Sequence, residues 1–430
     1  MTQMLESPAE KTRQKERRPL FALFGANIIS YIGDYLMLLA IPWFVLQTTG
    51  SVTETGITAF FSTLPVVISS FFGSALVDRL GYKRTSIVSD LTSGVSVALI
   101  PLLYNTVGLA FWQLLALVFF AGLLPAPGAT ARSAMLPDLV ARTDMRLERA
   151  NALSDGIRRV SGFIGAPLAG VLIALTGTSN LLWLDALSFV LSALLVGVSI
   201  PNIAVPARTA PAAQGKAAQR YLGDLAEGLR FILRTPFLLA ITVTVTITNL
   251  LDQANFAVVY PVYVRQYFGN PIVLGVLVAA VGGSAFASTL IFGAIGHRLP
   301  RRLTFAVCFV LASLRFGIMA LIPPLYVLIL ANILTGLAVG PLNPIMSTVE
   351  QEQVPQEMRA RVFGTTAAGA YLGIPLGGFA GGLLIQAVGL QPTLLILGAC
   401  YFVTTASLLV NPALRAMDKR IPLQATYQES

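Results

Sequence analysis

Apolar residues along this chain gather into twelve long runs, separated by short connections rich in Gly, Pro and charged residues. The runs fall at approximately 20 to 47, 52 to 77, 86 to 105, 108 to 134, 150 to 176, 179 to 201, 236 to 264, 271 to 296, 303 to 322, 325 to 348, 361 to 388 and 391 to 411. An α-helix needs roughly 20 mostly apolar residues to cross hydrocarbon, and it alone satisfies every backbone polar group within one segment. The pattern therefore predicts an all-α membrane protein with twelve transmembrane helices.

The runs repeat. GSALVDRLGYKR, from Gly73 to Arg84, returns in altered form as GAIGHRLPRR, from Gly293 to Arg302. Placing Ser74 on Gly293 sets an offset of 219 residues, which also carries Pro42 onto Pro261, Gln47 onto Gln266, Gly50 onto Gly269 and Arg79 onto Arg298. A tandem duplication of six spans predicts two pseudo-symmetric six-helix bundles, the arrangement of secondary transporters whose halves rock about a shared site. The expected parts are a tail over 1–18, a first bundle over 19–201, a linker over 202–235, a second bundle over 236–411 and a tail over 412–430. The linker opens as PARTAPAAQGKAAQ, a flexible composition. It continues as YLGDLAEGLRFILR, where Leu222, Leu225, Leu229 and Ile232 recur at helical spacing and predict a helix on the membrane surface.

Composition agrees, since 11% of residues are charged and 55% hydrophobic, where a soluble domain carries about a quarter charged. The net charge of +9 does not imply nucleic acid, because the basic residues are sorted by side. Lys11, Arg13, Lys15, Arg17 and Arg18 precede the first run, and the others fill alternate connections. Arg265 is the only one of the 29 Lys and Arg placed clearly on the opposite side, with Arg315 inside a run. Basic loops stay cytoplasmic, so both termini are expected inside a bacterial cell membrane. The first run is too long for a signal-peptide core and is expected to remain as a helix. Cys308 and Cys400 lie in separate spans without CxxC spacing and read as packing residues.

The connection between the second and third runs, VDRLGYKR, resembles the major facilitator superfamily motif, approximately G-x-L-A-D-R-x-G-R-K/R. The resemblance implies the major facilitator fold, with Asp78 and Arg79 steadying the inner gate against the start of a helix in the other half. Gly81 would make the turn, and Lys83 and Arg84 would anchor at the inner surface. Ser74 stands where the family has a glycine. In the second copy the Asp is replaced by His297 and the turn glycine by Pro300, so that copy lacks the fixed charge. His297, the only histidine, reads either as a pH sensor or as an interfacial residue in a decayed repeat.

Further stretches, SYIGDYLMLLAIPWFVLQTTGS, ARSAMLPDLV with ERANAL, LDALSFVLSALL and VPQEMRARVFG, resemble the branch that holds the enterobactin exporter, macrolide-efflux permeases and actinobacterial multidrug efflux permeases. Arg361 matches that branch, and Ala360 replaces its usual glycine. GFIGAPLAG, from Gly162 to Gly170, partly matches the family's antiporter motif through Gly162, Pro167 and Gly170, and GIPLGG repeats it from Gly373 to Gly378. Such small surfaces would let the fifth and eleventh spans press on the eighth and second. No Arg occurs from Gly108 to Gly128, so the arginine motif that many drug–proton antiporters carry on the fourth span is not visible.

Ionisable residues within spans are costly and mark functional candidates. Asp34 lies halfway along the first run, Asp252 past the middle of the seventh and Asp185 toward the outer end of the sixth. Asp34 and Asp252 differ by 218, within one residue of the repeat offset, and are expected to flank one central cavity. Thr248, Asp252, Asn255 and Val259 share a helical face bordered by Asn249 and Phe256, a stripe too polar for lipid. Each carboxylate reads in two ways, as a proton carrier or substrate contact that changes charge as the cavity is wetted from alternate sides, or as a fixed hydrogen-bonding group. Arg315 calls for a carboxylate or carbonyl partner. Tyr31, Tyr35, Phe256 and Tyr260 are placed either to stack on a planar or cationic solute or to pack the bundle.

Taken together, the residues and the resemblance predict a monomeric secondary transporter that exports lipophilic or cationic small molecules in exchange for protons, with lipid around it. A dedicated siderophore or metabolite exporter, a lipid flippase, a proton symporter and a non-transporting receptor are the alternatives. No enzyme, cofactor or metal site is expected, because there is one His, no HExxH and no nucleotide-binding loop.

Overall fold

A computed structural model describes residues 17–202, 214–355 and 358–418, all-helical apart from short connections and without strands among those residues. In chain order the helices are α1 Arg18–Thr49, α2 Val52–Leu80, α3 Tyr82–Thr106, α4 Phe111–Val140, α5 Leu147–Thr176, α6 Thr178–Ser199, α7 Gln214–Arg234, α8 Pro236–Tyr267, α9 Pro271–Ile295, α10 Arg301–Ala320, α11 Leu325–Gln353, α12 Arg359–Val388 and α13 Leu390–Val410. All but α7 are long and apolar enough to cross a membrane, which gives the twelve spans that the hydrophobic runs predict. The fourth run continues past its predicted end at 134 to Val140. The N-terminal basic residues up to Lys15, the PARTAPAAQGKAAQ linker apart from the backbone of its last residues, and the end of the C-terminal tail lie outside the described residues.

Helix ends follow local chemistry. Proline opens α8 and α9, where a missing N–H costs nothing, and the Asn270 side chain caps α9 by accepting from the Ile272 N–H. Gly50 and Gly269, partners in the repeat, end α1 and α8 with φ of 69° and 66°, a conformation that glycine adopts without strain. Large apolar side chains such as Trp112, Leu175, Val198, Leu321, Val403 and Val410 point outward, as a hydrocarbon solvent permits.

Two compact units are present, one of residues 1–37, 68–165 and 179–206 and the other of residues 38–67, 166–178 and 207–430. In the first, Leu20, Leu23, Phe24, Met135, Leu139, Val196 and Ile200 form an apolar cluster among α1, α4 and α6. There α3 turns a small polar face, Ser86, Ser89, Ser93 and Ser96, inward. Ser89 donates to the Leu124 carbonyl, where Pro125 interrupts α4, and Ser93 donates to the Ala121 carbonyl at 3.0 Å. A kink thus gains a hydrogen bond from the neighbouring helix.

The second unit packs α8 on α12, α9 on α11 and α10 on α13, and it includes the ends of α1, α2 and α5 opposite the basic side. Those ends join through glycine. A Cβ on Gly56 of α2 would meet the Gly378 carbonyl of α12 at 2.8 Å and the Gly382 Cα at 2.9 Å. One on Gly275 of α9 would meet the Ala166 carbonyl of α5 at 2.6 Å and the Pro167 Cα at 3.0 Å, and one on Gly170 would meet the Pro271 carbonyl at 2.7 Å. Gly56 and Gly275 are repeat partners, so the same backbone-to-backbone crossing is built twice.

Candidate functional site

Intramembrane charge collects in two places, one in each unit. In the first unit Arg132 of α4 is 4% exposed and pairs with Asp90 of α3, 2% exposed, its Nη1 lying 3.2 and 3.1 Å from the two carboxylate oxygens. Its Nη2 donates to Ser30 of α1 at 3.1 Å, while Ser192 of α6 donates to Asp90 at 2.7 Å. Four helices are thereby tied at one level. A buried guanidinium is tolerated only with such a set of partners.

Asp34 stands one helical turn beyond Ser30 on α1, within electrostatic reach of Arg132 and Asp90. Its side chain is exposed, and it makes no hydrogen bond or ion pair to any described residue. Next to it, Gly33 abuts Asp185 of α6, which is fully buried; Ser188 donates to Asp185 Oδ1 at 3.4 Å, and Oδ2 has no partner among the described residues. Asp34 also lies within electrostatic reach of Asp185. Asp34 thus stands between the Asp90–Arg132 pair and the Asp185 carboxyl, within electrostatic reach of both. Tyr31 is half-buried on the same α1 segment, and the half-buried ring of Tyr35 covers Gly162 and Gly165 of α5.

In the second unit Asp252 of α8 pairs with Arg315 of α10, which is 2% exposed. The Arg315 guanidinium also lies over the rings of Phe316, Tyr401 and Phe256, at 4.7, 5.4 and 6.0 Å from their centroids. Arg315 has the carboxylate partner that its position demands, in a cation–π setting. Directly after Asp252, residues Asn255–Val259 form a π-helical turn, a rare feature that gathers at functional sites. Asn255 and Thr248 are buried, and the Asn249 amide donates to the Ala370 carbonyl of α12 at 3.1 Å. Phe256 packs edge-on against Tyr260, which is fully buried and bonded to Asn332. Of the four aromatic residues singled out in sequence, Tyr260 is a packing residue.

Among the motif residues, Gly81 has φ of 80° and caps α3, so the turn requires glycine. Arg79 and Arg84 flank it and are exposed; the side chain of Asp78, in the last turn of α2, lies outside the described residues. Pro167 and Gly170 sit at the crossing of α5 with α9. Arg361, in the first turn of α12, donates to Glu227 of α7 at 2.8 Å. No group of His, Cys, Asp and Glu among the described residues could hold a metal ion.

Sequence reasoning missed Asp90 and Arg132. Both fall inside predicted runs, and Arg132 lies on the fourth span beyond its arginine-free Gly108 to Gly128 segment. The usable signal was two opposite charges in consecutive apolar runs, since neither is stable there without the other.

A profile of the transmembrane secretion effector family matches residues 16–429. The multidrug efflux pump Tap of Mycobacterium tuberculosis is 31% identical over 415 residues, covering 94% of this chain and 96% of Tap. The macrolide efflux protein A of Streptococcus pyogenes is 19% identical over 382 residues, covering 88% and 92%. Among solved structures, that of the nucleoside transporter NupG superposes with a TM-score of 0.75 at 14% identity over 91% of this chain and 98% of the other, a likeness of fold.

Proposed function

Because the chain belongs to the transmembrane secretion effector family of major facilitator transporters and is a multi-pass membrane transporter of small molecules, we propose that it exports lipophilic or cationic solutes from a bacterial cytoplasm in exchange for protons. Both termini are cytoplasmic in this reading, as the basic loops require. The kinship with Tap supports drug efflux as the class of activity.

The observation that carries proton exchange is the exposed Asp34 carboxylate, unpaired beside a buried Asp90–Arg132 pair and a partnerless Asp185 oxygen. Asp34 and the two carboxyls within its electrostatic reach, Asp90 and Asp185, exchange protons as a set, because each charge raises the cost of the next. Asp34, the exposed member, takes the proton from water and yields it when a cationic solute arrives. Tyr31 and Phe256 offer ring faces to such a solute. Asp252 has a different task, holding Arg315 and the α8–α10 contact. Alternating access closes the outer side through the glycine crossings at Pro167, Gly170 and Gly275, and at Gly56, Gly378 and Gly382. Asp78, Arg79 and Arg361 serve the inner side. For a neutral solute one proton suffices energetically, since a membrane potential supplies about 2.3 kcal/mol per charge per 100 mV and a tenfold solute gradient costs about 1.4 kcal/mol, whereas one-for-one exchange with a monovalent cation moves no net charge and draws on the pH gradient alone.

Proton release from acid-loaded everted vesicles, on addition of lipophilic cations, a tetracycline or a macrolide, tests this reading. Discharge in the wild type and its loss in Asp34→Asn support it. If folded wild-type protein discharges nothing with any of the panel, broad drug–proton exchange is wrong and a dedicated exporter takes its place.

A further inference from the structure

Helix α7 divides into three sectors around its axis. Gly228 and Ile232 are buried, and Leu225 is half-buried. A Cβ on Gly228 would strike the Arg361 carbonyl and the Thr365 hydroxyl of α12, and Thr365 donates to the Leu225 carbonyl at 3.4 Å. Turning away from α12, the next sector holds Ala226, Leu229 and Leu233, with the two leucines 49% and 57% exposed. Beyond it lie Arg230 and Arg234, both exposed. Glu227 closes the circle by pairing with Arg361. Only Thr235 separates the end of α7 from the start of the spanning helix α8, so the last turn of α7 lies at the membrane surface.

An exposed apolar edge flanked by arginines, at the level where a bilayer begins, complements lipid with anionic headgroups. We infer that α7 binds anionic phospholipid of the leaflet on the basic side, with Leu229 and Leu233 in the acyl boundary and Arg230 and Arg234 on the phosphates, and straps that leaflet to α12 through Gly228 and the Glu227–Arg361 pair. Helix α12 carries the Gly378 and Gly382 crossing at its other end, so a lipid held at α7 acts on a helix that also closes the opposite side. The surface carries the membrane's composition into the transport cycle. Arginine is suited to this, since its planar fork engages phosphate oxygens in pairs.

The test uses the full chain with Cys308 and Cys400 replaced by Ser and a fluorophore on Leu233→Cys, reconstituted in vesicles where either phosphatidylglycerol or phosphatidylcholine is brominated at equal mole fraction. Brominated phosphatidylglycerol is expected to quench more strongly, reflecting enrichment on the order of tenfold beside two arginines. Arg230→Gln/Arg234→Gln, a surface change that leaves the packed sector intact, is expected to abolish the preference while keeping quenching. Equal quenching by the two lipids in the parent, or none by either, overturns the inference. Solute-driven proton release in the same vesicles is expected to rise with phosphatidylglycerol in the parent and to stay flat in the double variant; a flat response in both, with quenching preference retained, overturns the strap to α12. Binding is read without transport, so failure of proton exchange leaves it standing or fallen on its own.

Discussion

Arg265 of α8 donates to the backbone carbonyl of Leu46 on α1, and the two residues are counterparts in the repeat, 219 positions apart. Symmetry-related positions touch only where the axis relating them passes, so the pseudo-two-fold axis runs between these residues. Leu46 lies in the last turn of α1, where its carbonyl also accepts from the Gly50 N–H at 3.1 Å and the negative end of the helix dipole draws a cation. Nearby, Thr178 at the start of α6 donates to Gln47. Arg265 thus clasps the last turn of α8 to the last turn of α1.

Arg265→Ala is expected to loosen that contact. A charge-assisted hydrogen bond contributes about 1.5–3 kcal/mol, and partial exposure puts this one at the lower end, roughly a tenfold change in population. A cysteine at the buried position Val45, in a background lacking Cys308 and Cys400, should react correspondingly faster with a membrane-impermeant maleimide applied outside. An unchanged rate would show that the clasp carries no weight.

Asp34→Asn and Asp252→Asn should fail in opposite ways. Asp34 has no hydrogen-bond partner among the described residues, so its amide variant should unfold at the wild-type temperature while losing proton release by tenfold or more. Asp252→Asn leaves buried Arg315 without its counterion, a loss of about 3–5 kcal/mol for a buried pair. Its thermal unfolding in detergent should fall by several degrees.

Asp90→Asn or Arg132→Gln alone should destabilise the first unit by a similar amount, and the double variant should recover part of the loss because no charge is left orphaned. A thermal-unfolding cycle on the four proteins measures this coupling; strict additivity would contradict the pairing.

Gly56→Ala and Gly275→Ala should behave alike, since each methyl meets backbone within 3 Å across a helix crossing. Overpacking of this kind costs about 1–3 kcal/mol. Both variants are expected to lower the melting temperature and slow transport to a similar degree, checked by thermal shift and vesicle flux.

Twelve spans, the duplication and the family likeness were legible because membrane burial forces long apolar runs and the repeat keeps its turn glycines, Gly50 and Gly269, where φ is positive. The need of Arg315 for a partner was equally legible, since a cation in hydrocarbon cannot stand alone. The identity of that partner was not, because Asp252 is reached across a helix contact rather than along the sequence. Asp90 and Arg132 escaped for a related reason: each lies among serines and alanines near a run's end, and only packing of α3 on α4 makes them one unit. The division of the chain into compact units also follows glycine contacts that no single-helix pattern contains.

The π-helical turn at Asn255–Val259 holds one residue more than a regular helix would over the same path. Beyond it the offset between the copies is 219, as Pro42 and Pro261 record; before it the offset drops to 218, where Asp34 falls on Asp252, Ser30 on Thr248 and Ile29 on Ile247. The two aspartates therefore occupy one position of the repeat, brought into register by the extra residue of that turn. At one of these equivalent places the carboxylate is held by an arginine across a helix contact, and at the other it stands without a hydrogen-bond or ion-pair partner among the described residues.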